Sequence, residues 1–211
     1  MPLYKRITIN PTTKVLIWKI EEPLDELRKG IDLTPYCSER VEGMKSELHQ
    51  RGFMSVRHLL AAAGYTDFDL FYDDEGKPHL RDGKFISITH SFNFSGIIVS
   101  DREVGIDIEK QRDKILLIAQ KFTPLEEYRT VANTEALIRK LTIVWGAKEA
   151  VYKLYAQPKV SFLQHINIID FDFDDLRTTG KITFNGETSW YEFEFLEFEG
   201  FTCVYTLRKV S

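Results

Sequence analysis

Apolar and polar positions along this chain change period several times, and the changes mark out its elements. Residues 3–20 alternate and are rich in Ile, Val and Trp, which predicts a strand over Thr13–Ile20. Glu22-Pro23 to Lys29 reads as a short helix stopped by Gly30, and Ser38 to Ala63 as a helical stretch with Ser38 as cap and Gly64 as stop. Phe68–Tyr72 predicts a strand that ends in the turn residues Asp73-Asp74-Glu75-Gly76. Phe85–His90, Ser95–Ser100 and Val104–Glu109 predict a three-strand meander with Asp107 and Glu109 at its end. Helical pieces follow at Leu116–Lys121 and Leu125–Ala132, split by Pro124. A long helix is predicted over Glu135–Leu154, with apolar Leu137, Leu141, Val144, Trp145, Val151 and Leu154 at helical spacing. Gly146 inside it costs about 1 kcal/mol against Ala. Strands are then predicted at Ile166–Phe173, Lys181–Phe184, Trp190–Phe198 and Phe201–Arg208.

Helix followed by antiparallel strands thus occurs twice, which predicts an α+β protein of two similar-sized halves, residues 1–110 and 111–211. No Gly-, Ser- or Pro-rich linker separates them. The 211 residues suffice for a real core, and 43% hydrophobic and 28% charged residues are ordinary for a soluble globular chain. A net charge of -4 argues against general nucleic-acid binding while leaving room for a local basic pocket. Cys37 and Cys203 are far apart in sequence and read as reduced thiols. The N-terminus lacks an apolar signal core, and no run approaches the ~20 residues of a membrane span, so a cytoplasmic protein is expected.

Two acidic motifs carry the candidate chemistry. In Gly105-Ile106-Asp107-Ile108-Glu109 the two acids share one face of a strand, opposite Ile106 and Ile108. In Trp145-Gly146-Ala147-Lys148-Glu149-Ala150-Val151-Tyr152-Lys153, Glu149 and Lys153 share one helix face with Trp145. Each pattern has a bland counterpart. Two strand acids also occur on a solvated edge, and a Glu–Lys pair at this spacing is an ordinary surface pair worth ~0.2–0.5 kcal/mol. Three carboxylates that converge, however, need a compensating cation, and Mg²⁺ typically shares itself between carboxylates and substrate phosphates.

Further segments join these two. They are Gly76-Lys77-Pro78, Ile86-Ser87-Ile88-Thr89-His90-Ser91, and Ile118-Ala119-Gln120-Lys121-Phe122-Thr123-Pro124-Leu125-Glu126-Glu127. In order and spacing the five resemble the 4′-phosphopantetheinyl transferases, in particular the longer single-chain, surfactin-type branch. The resemblance runs from about residue 50 to 155. It implies two related α+β halves packed as an internal pseudo-dimer, with antiparallel sheets and a cleft between them. It also implies a monomer that transfers the 4′-phosphopantetheine arm of coenzyme A to a serine of an apo acyl or peptidyl carrier protein, with release of 3′,5′-ADP.

By the same resemblance Asp107, Glu109 and Glu149 hold Mg²⁺ (Mn²⁺ suits the same oxygens), and Glu149 or a metal-bound water takes the serine proton. Lys148 and Lys153 contact phosphate, and His90 does so with Thr89 beside it. Lys77 and Pro78 wall the adenine and 3′-phosphate pocket. Arg57 lies in the apolar segment Val56–Ala63, where a charge is costly unless paired. A phosphate would resolve it, and the family carries an Arg there; Arg51 is a weaker candidate. Glu127 matches an acidic family position or simply caps a helix. The chain departs from the family at Ala156-Gln157-Pro158-Lys159-Val160, where a Gly-rich stretch is common, and at Gly146, where Ser, Thr or Cys is commoner. Two other readings compete. One is an inactive coenzyme A or carrier-protein binder of the same fold. The other is an unrelated Mg²⁺-dependent nucleotide hydrolase, weakened by the absence of a Gly-x-x-x-x-Gly-Lys-Ser/Thr loop.

Overall fold

The computed structural model describes residues 3–128, 131, 133–157 and 159–208, and the chain divides into two compact units at Arg102/Glu103. The first contains β1 (Leu3–Asn10), β2 (Thr13–Lys19), α1 (Leu24–Leu27), α2 (Pro35–Glu42), α3 (Glu47–Ala63), β3 (Leu70–Tyr72), β4 (Pro78–Leu80), β5 (Phe85–Ser91) and β6 (Phe94–Ser100). Its antiparallel sheet runs β1-β2-β6-β5-β4-β3. The apolar side of α3, with Met54, Leu59 and Leu60 fully buried, shares one core with Leu16 and Ile97 of the sheet. Each such side chain contributes about 1.5–3 kcal/mol on burial.

The single helical stretch expected from Ser38 is two helices. Thr34, not Ser38, caps the first by accepting from the Cys37 N–H at 3.3 Å, and Pro35 sits at its first position, where no N–H is needed. Gly43 closes it, and α3 starts afresh after Ser46.

The second unit contains β7 (Val104–Lys110), α4 (Lys114–Phe122), α5 (Thr134–Tyr155), β8 (Ile166–Ile168), β9 (Arg177–Phe184), β10 (Glu187–Phe198) and β11 (Phe201–Arg208). Its antiparallel sheet runs β7-β11-β10-β9-β8. Leu141, Val144, Ala147 and Val151 of α5 bury into one core with Phe193, Phe195 and Val204. Both units are α+β with an antiparallel sheet, as expected.

The expected boundary after residue 110 is corrected by strand pairing. Rather than extending the β5–β6 hairpin into a meander, β7 pairs with β11, Asp107 opposite Val204 and Glu109 opposite Thr202. The first acidic motif therefore belongs to the second unit. The piece expected over Leu125–Ala132 is one 3₁₀ turn at Leu125–Glu127, and its remainder includes residues outside those described, as does Pro158 of the departing segment. The strand expected over Ile166–Phe173 stops at Ile168, and a 3₁₀ turn occupies Phe173–Asp175. No helix among the described residues is long and apolar enough to cross a membrane.

Candidate active site

The two acidic motifs meet because β7 and α5 pack backbone to backbone. A Cβ on Gly105 would lie 1.8 Å from the carbonyl oxygen of Ala150, and one on Gly146 would lie 2.8 Å from Cγ2 of Val204. Both motif glycines are thus the points of closest approach between helix and sheet. They bring Asp107 and Glu109 of β7 beside the face of α5 that carries Trp145, Glu149 and Lys153, at steps of four residues. The Lys153 ammonium donates to Asp107 Oδ1 at 2.7 Å and to the Ile106 carbonyl at 3.0 Å. The Trp145 indole N–H donates to Glu109 Oε1 at 3.3 Å. Phe122 and Phe162 pack against the Trp145 ring at centroid distances of 5.0 and 5.5 Å, which holds the indole in place.

The electrostatics follow from this gathering. Burial, then Asp107, then Glu149 push the Glu109 carboxyl up to about 7, against the hydrogen bond from Trp145 and the charge of Lys153. Burial and then Asp107 also raise the Glu149 carboxyl, which Lys153 partly opposes. The Asp107 charge thus penalises the ionisation of both Glu109 and Glu149, and Lys153 opposes it in each case. Among the described residues no three His, Cys, Asp or Glu side chains are drawn together closely enough to hold an ion unaided. The donor set still fits Mg²⁺ chemically. All three are hard oxygens whose repulsion a divalent cation relieves, and Mg²⁺ keeps waters and takes substrate phosphate oxygens instead of requiring a protein cage.

The structure corrects the expectation for Lys148. This side chain is fully buried, its ammonium 2.9 Å from Glu127 Oε2 and donating to the carbonyls of Phe122, Phe162 and Ile166 at 2.8, 3.0 and 2.7 Å. Burial pulls its pKa down against the pull of Glu127. Glu127 is 1% exposed and also accepts from Thr123, Asn167 and the Ile168 N–H. The pair ties the segment after α4 and the start of β8 to α5. The donors of Lys148 are directed at protein acceptors, and Glu127 lies inside the core instead of at a helix end.

Residues 103–206, which span the second unit almost end to end, match the model of the 4′-phosphopantetheinyl transferase superfamily. Through this half the chain belongs to that superfamily. No curated protein sequence matches the chain significantly. Phosphopantetheinyl transfer is accordingly its chemistry, with coenzyme A as the donor the family uses.

In the first unit of this phosphopantetheinyl transferase the expected nucleotide residues fall in two groups. Arg57 is 3% exposed and is paired within the protein, so its charge does not await a phosphate. Its Nε donates to Asp67 Oδ1 at 2.9 Å and its Nη2 to Cys37 Sγ at 3.2 Å, and the guanidinium lies 3.5 Å over the Phe53 ring. The Asp67 carboxyl is held down by the Thr34 N–H and by Arg57 despite opposing burial. The weaker candidate Arg51 donates to the Ile20 carbonyl at 3.2 Å. Thr89 is buried and His90 exposed at the end of β5, the His90 ring lying over Gly52 of α3, where a Cβ would come within 2.9 Å of Cδ2. Lys77 and Pro78 are half-buried on the loop from β3 into β4.

That loop borders a groove of about 650 Å³ lined by Tyr36, Glu39, Arg40, Tyr72, Asp73, Asp74 and Gly76. Arg40 was not singled out by sequence. It is exposed, its guanidinium lies 5.8 Å over Phe53 and 5.4 Å over Tyr72, and it has no carboxylate partner among the described residues. In sequence it is one basic residue in the last turn of a short polar helix. Only its place over the Tyr72 ring of β3, on the edge of the groove, brings it into view.

Proposed function

We propose that the protein transfers the 4′-phosphopantetheine arm of coenzyme A to the serine of an apo acyl or peptidyl carrier protein, in an Mg²⁺-dependent reaction that releases 3′,5′-ADP. The observation that carries this reading is the gathering of Asp107, Glu109 and Glu149 around Lys153 and Trp145, inside the segment that matches the superfamily. Asp107, Glu109 and Glu149 are the residues that would hold the cation. A divalent cation there would neutralise the charge that builds on the leaving 3′,5′-ADP phosphate as the phosphoanhydride bond breaks. Lys153, 31% exposed beside Asp107, adds positive charge on the side of the transferred phosphate. Glu149, whose basicity burial and Asp107 raise, accepts the proton of the carrier serine, directly or through a water, as it attacks phosphorus. Trp145, fixed between Phe122 and Phe162, orients the Glu109 carboxylate.

For the nucleotide end we assign His90 and Thr89 to phosphate and Lys77 with Pro78 to the pocket wall. Arg40, not Arg57, is the arginine for the 3′-phosphate: an exposed guanidinium on a groove wall has donors to give, whereas Arg57 has spent its own on Asp67 and Cys37. Tyr36 and Tyr72 offer ring faces for the adenine. A cytoplasmic monomer acting on an acidic carrier fits a chain whose charge of -4 leaves attraction to local patches.

Intact-mass spectrometry of an apo carrier incubated with the protein, coenzyme A and Mg²⁺ tests this. One added phosphopantetheine mass, lost in Glu149→Gln and in EDTA, is expected. Coenzyme A binding with no mass gain on fatty-acid and peptidyl carriers alike would instead identify an inactive binder.

A further inference from the structure

The loop carrying Gly76-Lys77-Pro78 is held by a clasp at its own base. Asp73 Oδ1 accepts the backbone N–H groups of Glu75 at 3.1 Å and Lys77 at 2.8 Å. Its N–H donates to the Lys77 carbonyl at 3.1 Å, and its carbonyl accepts from the Gly76 N–H at 3.0 Å. Gly76 takes φ +82°, the left-handed value that this hairpin loop needs between the Tyr72↔Pro78 pair and its tip. One Asp therefore arranges the whole loop, and Oδ2 remains to fix the Asp itself. His79 supplies that contact: its Nε2 donates to Asp73 Oδ2 at 2.8 Å from across the hairpin. The imidazole is steadied by stacking on Phe71, its cross-strand neighbour, at a centroid distance of 5.3 Å and an interplanar angle of 24°.

Stability does not account for this arrangement. Both partners are more than a third exposed, at 38% and 36%, and a pair so placed contributes about 0–1 kcal/mol to folding. Its effect is local and geometric. The same Asp73, with Asp74 and Gly76, forms one wall of the groove that Arg40, Tyr36 and Tyr72 complete.

We propose that His79 is a positioning residue for coenzyme A: through Asp73 it sets the 73–77 loop as the wall against which the nucleotide end of the donor seats. This rests on the reading that the groove takes that end of coenzyme A.

The test titrates coenzyme A and 3′-dephospho-coenzyme A into the full chain calorimetrically, alongside KM and kcat for transfer. His79→Ala is expected to weaken coenzyme A about fivefold and raise KM alike, the scale of one exposed ion pair, with kcat and Tm unchanged. His79→Gln, whose amide donates from a similar reach, restores most of the affinity. Asp73→Ala, which also frees the two backbone donors, costs on the order of tenfold, and adding His79→Ala to it costs nothing more. Three results overturn the proposal. One is undiminished affinity in His79→Ala while Arg40→Ala binds coenzyme A weakly, which would leave the groove reading standing. Another is fully additive losses, which would put Asp73 on the ligand by itself. A third is a loss that tracks a fall in Tm and is not rescued by Gln. If Arg40→Ala and Lys77→Ala also leave both ligands unaffected, the groove reading fails together with the proposal built on it.

Discussion

Replacing Gly105 by Ala separates the packing of the site from its chemistry, because it adds one methyl group and no charge. The backbone of Gly105 does not occupy the left-handed region, so Ala adopts it without conformational strain. The added Cβ meets the Ala150 carbonyl oxygen at 1.8 Å and its carbon at 2.7 Å, both backbone atoms of α5. To restore even a tight 3.0 Å contact, β7 and α5 must part by 1.2 Å (3.0 minus 1.8). No side chain can swing aside to absorb this, so the loss belongs at the upper end of the overpacking range, about 3 kcal/mol. The same separation stretches the 2.7 Å Lys153–Asp107 contact and the 3.3 Å Trp145–Glu109 contact. A misplacement of ~1 Å costs on the order of 10²-fold in rate. The assay is urea unfolding followed by Trp fluorescence, with carrier modification measured below the unfolding transition. Gly146→Ala is the internal control. Its nearest obstacle is a Val204 methyl at 2.8 Å, which can rotate, and Ala gains about 1 kcal/mol of helix propensity. It should therefore lose much less. Wild-type stability and rate in Gly105→Ala would refute the claim that this glycine sets the spacing of the two motifs.

Lys148→Met strands Glu127 as a buried unpaired acid and should cost about 3–5 kcal/mol in urea unfolding without raising the KM for coenzyme A; a raised KM at unchanged stability would return Lys148 to the phosphate site. Arg57→Met should behave likewise through Asp67, whereas Arg40→Ala should weaken coenzyme A about tenfold, leave stability intact and spare 3′-dephospho-coenzyme A. In the metal-free protein the Glu109 carboxyl sits at about 7 against 4.5 unfolded, so the folded state binds this proton more tightly. Stability should then fall as pH rises between those values and level off beyond them, and Mg²⁺, which favours the ionised acids, should flatten the slope. A flat profile without Mg²⁺ would contradict the crowding of the three acids.

The site residues whose placement is legible in sequence share one property: their spacing states a face. Asp107 and Glu109, two apart on a strand, and Trp145, Glu149 and Lys153, four apart on a helix, lie together because strand and helix periods leave no choice. The acidic cluster was readable before any contact was known. Partner identity was not. Val104–Glu109 was recognised as a strand, but alternation says only that one of its faces is buried, not which neighbour pairs with it. That β7 joins β11 instead of following β6 is a long-range choice, visible only in the pairing of Asp107 with Val204 and of Glu109 with Thr202.

Lys148 and Arg57 show the opposite case, in which a cation near a motif turns inward. At about 100° per residue, Lys153 lies about 40° from Glu149 around α5, while Lys148 lies about 100° away on the other side. The helical wheel turns Lys148 toward Ala147 and Val151 and into the core. A buried Lys must then find its acid elsewhere, and Glu127 was the acid in the preceding family-like segment with no assigned role. Arg57 is the harder case. Its apolar neighbours signalled burial, and burial demands a counter-ion. Asp67, however, reaches it only because Thr34 orients the carboxylate from before α2, with hydrogen bonds at 2.8 and 3.0 Å. A cation inside an apolar helix face is therefore first a sign of an internal acid. The arginine free to recognise a phosphate is better sought where the helix is polar and the side chain, like Arg40, rests on rings instead of carboxylates.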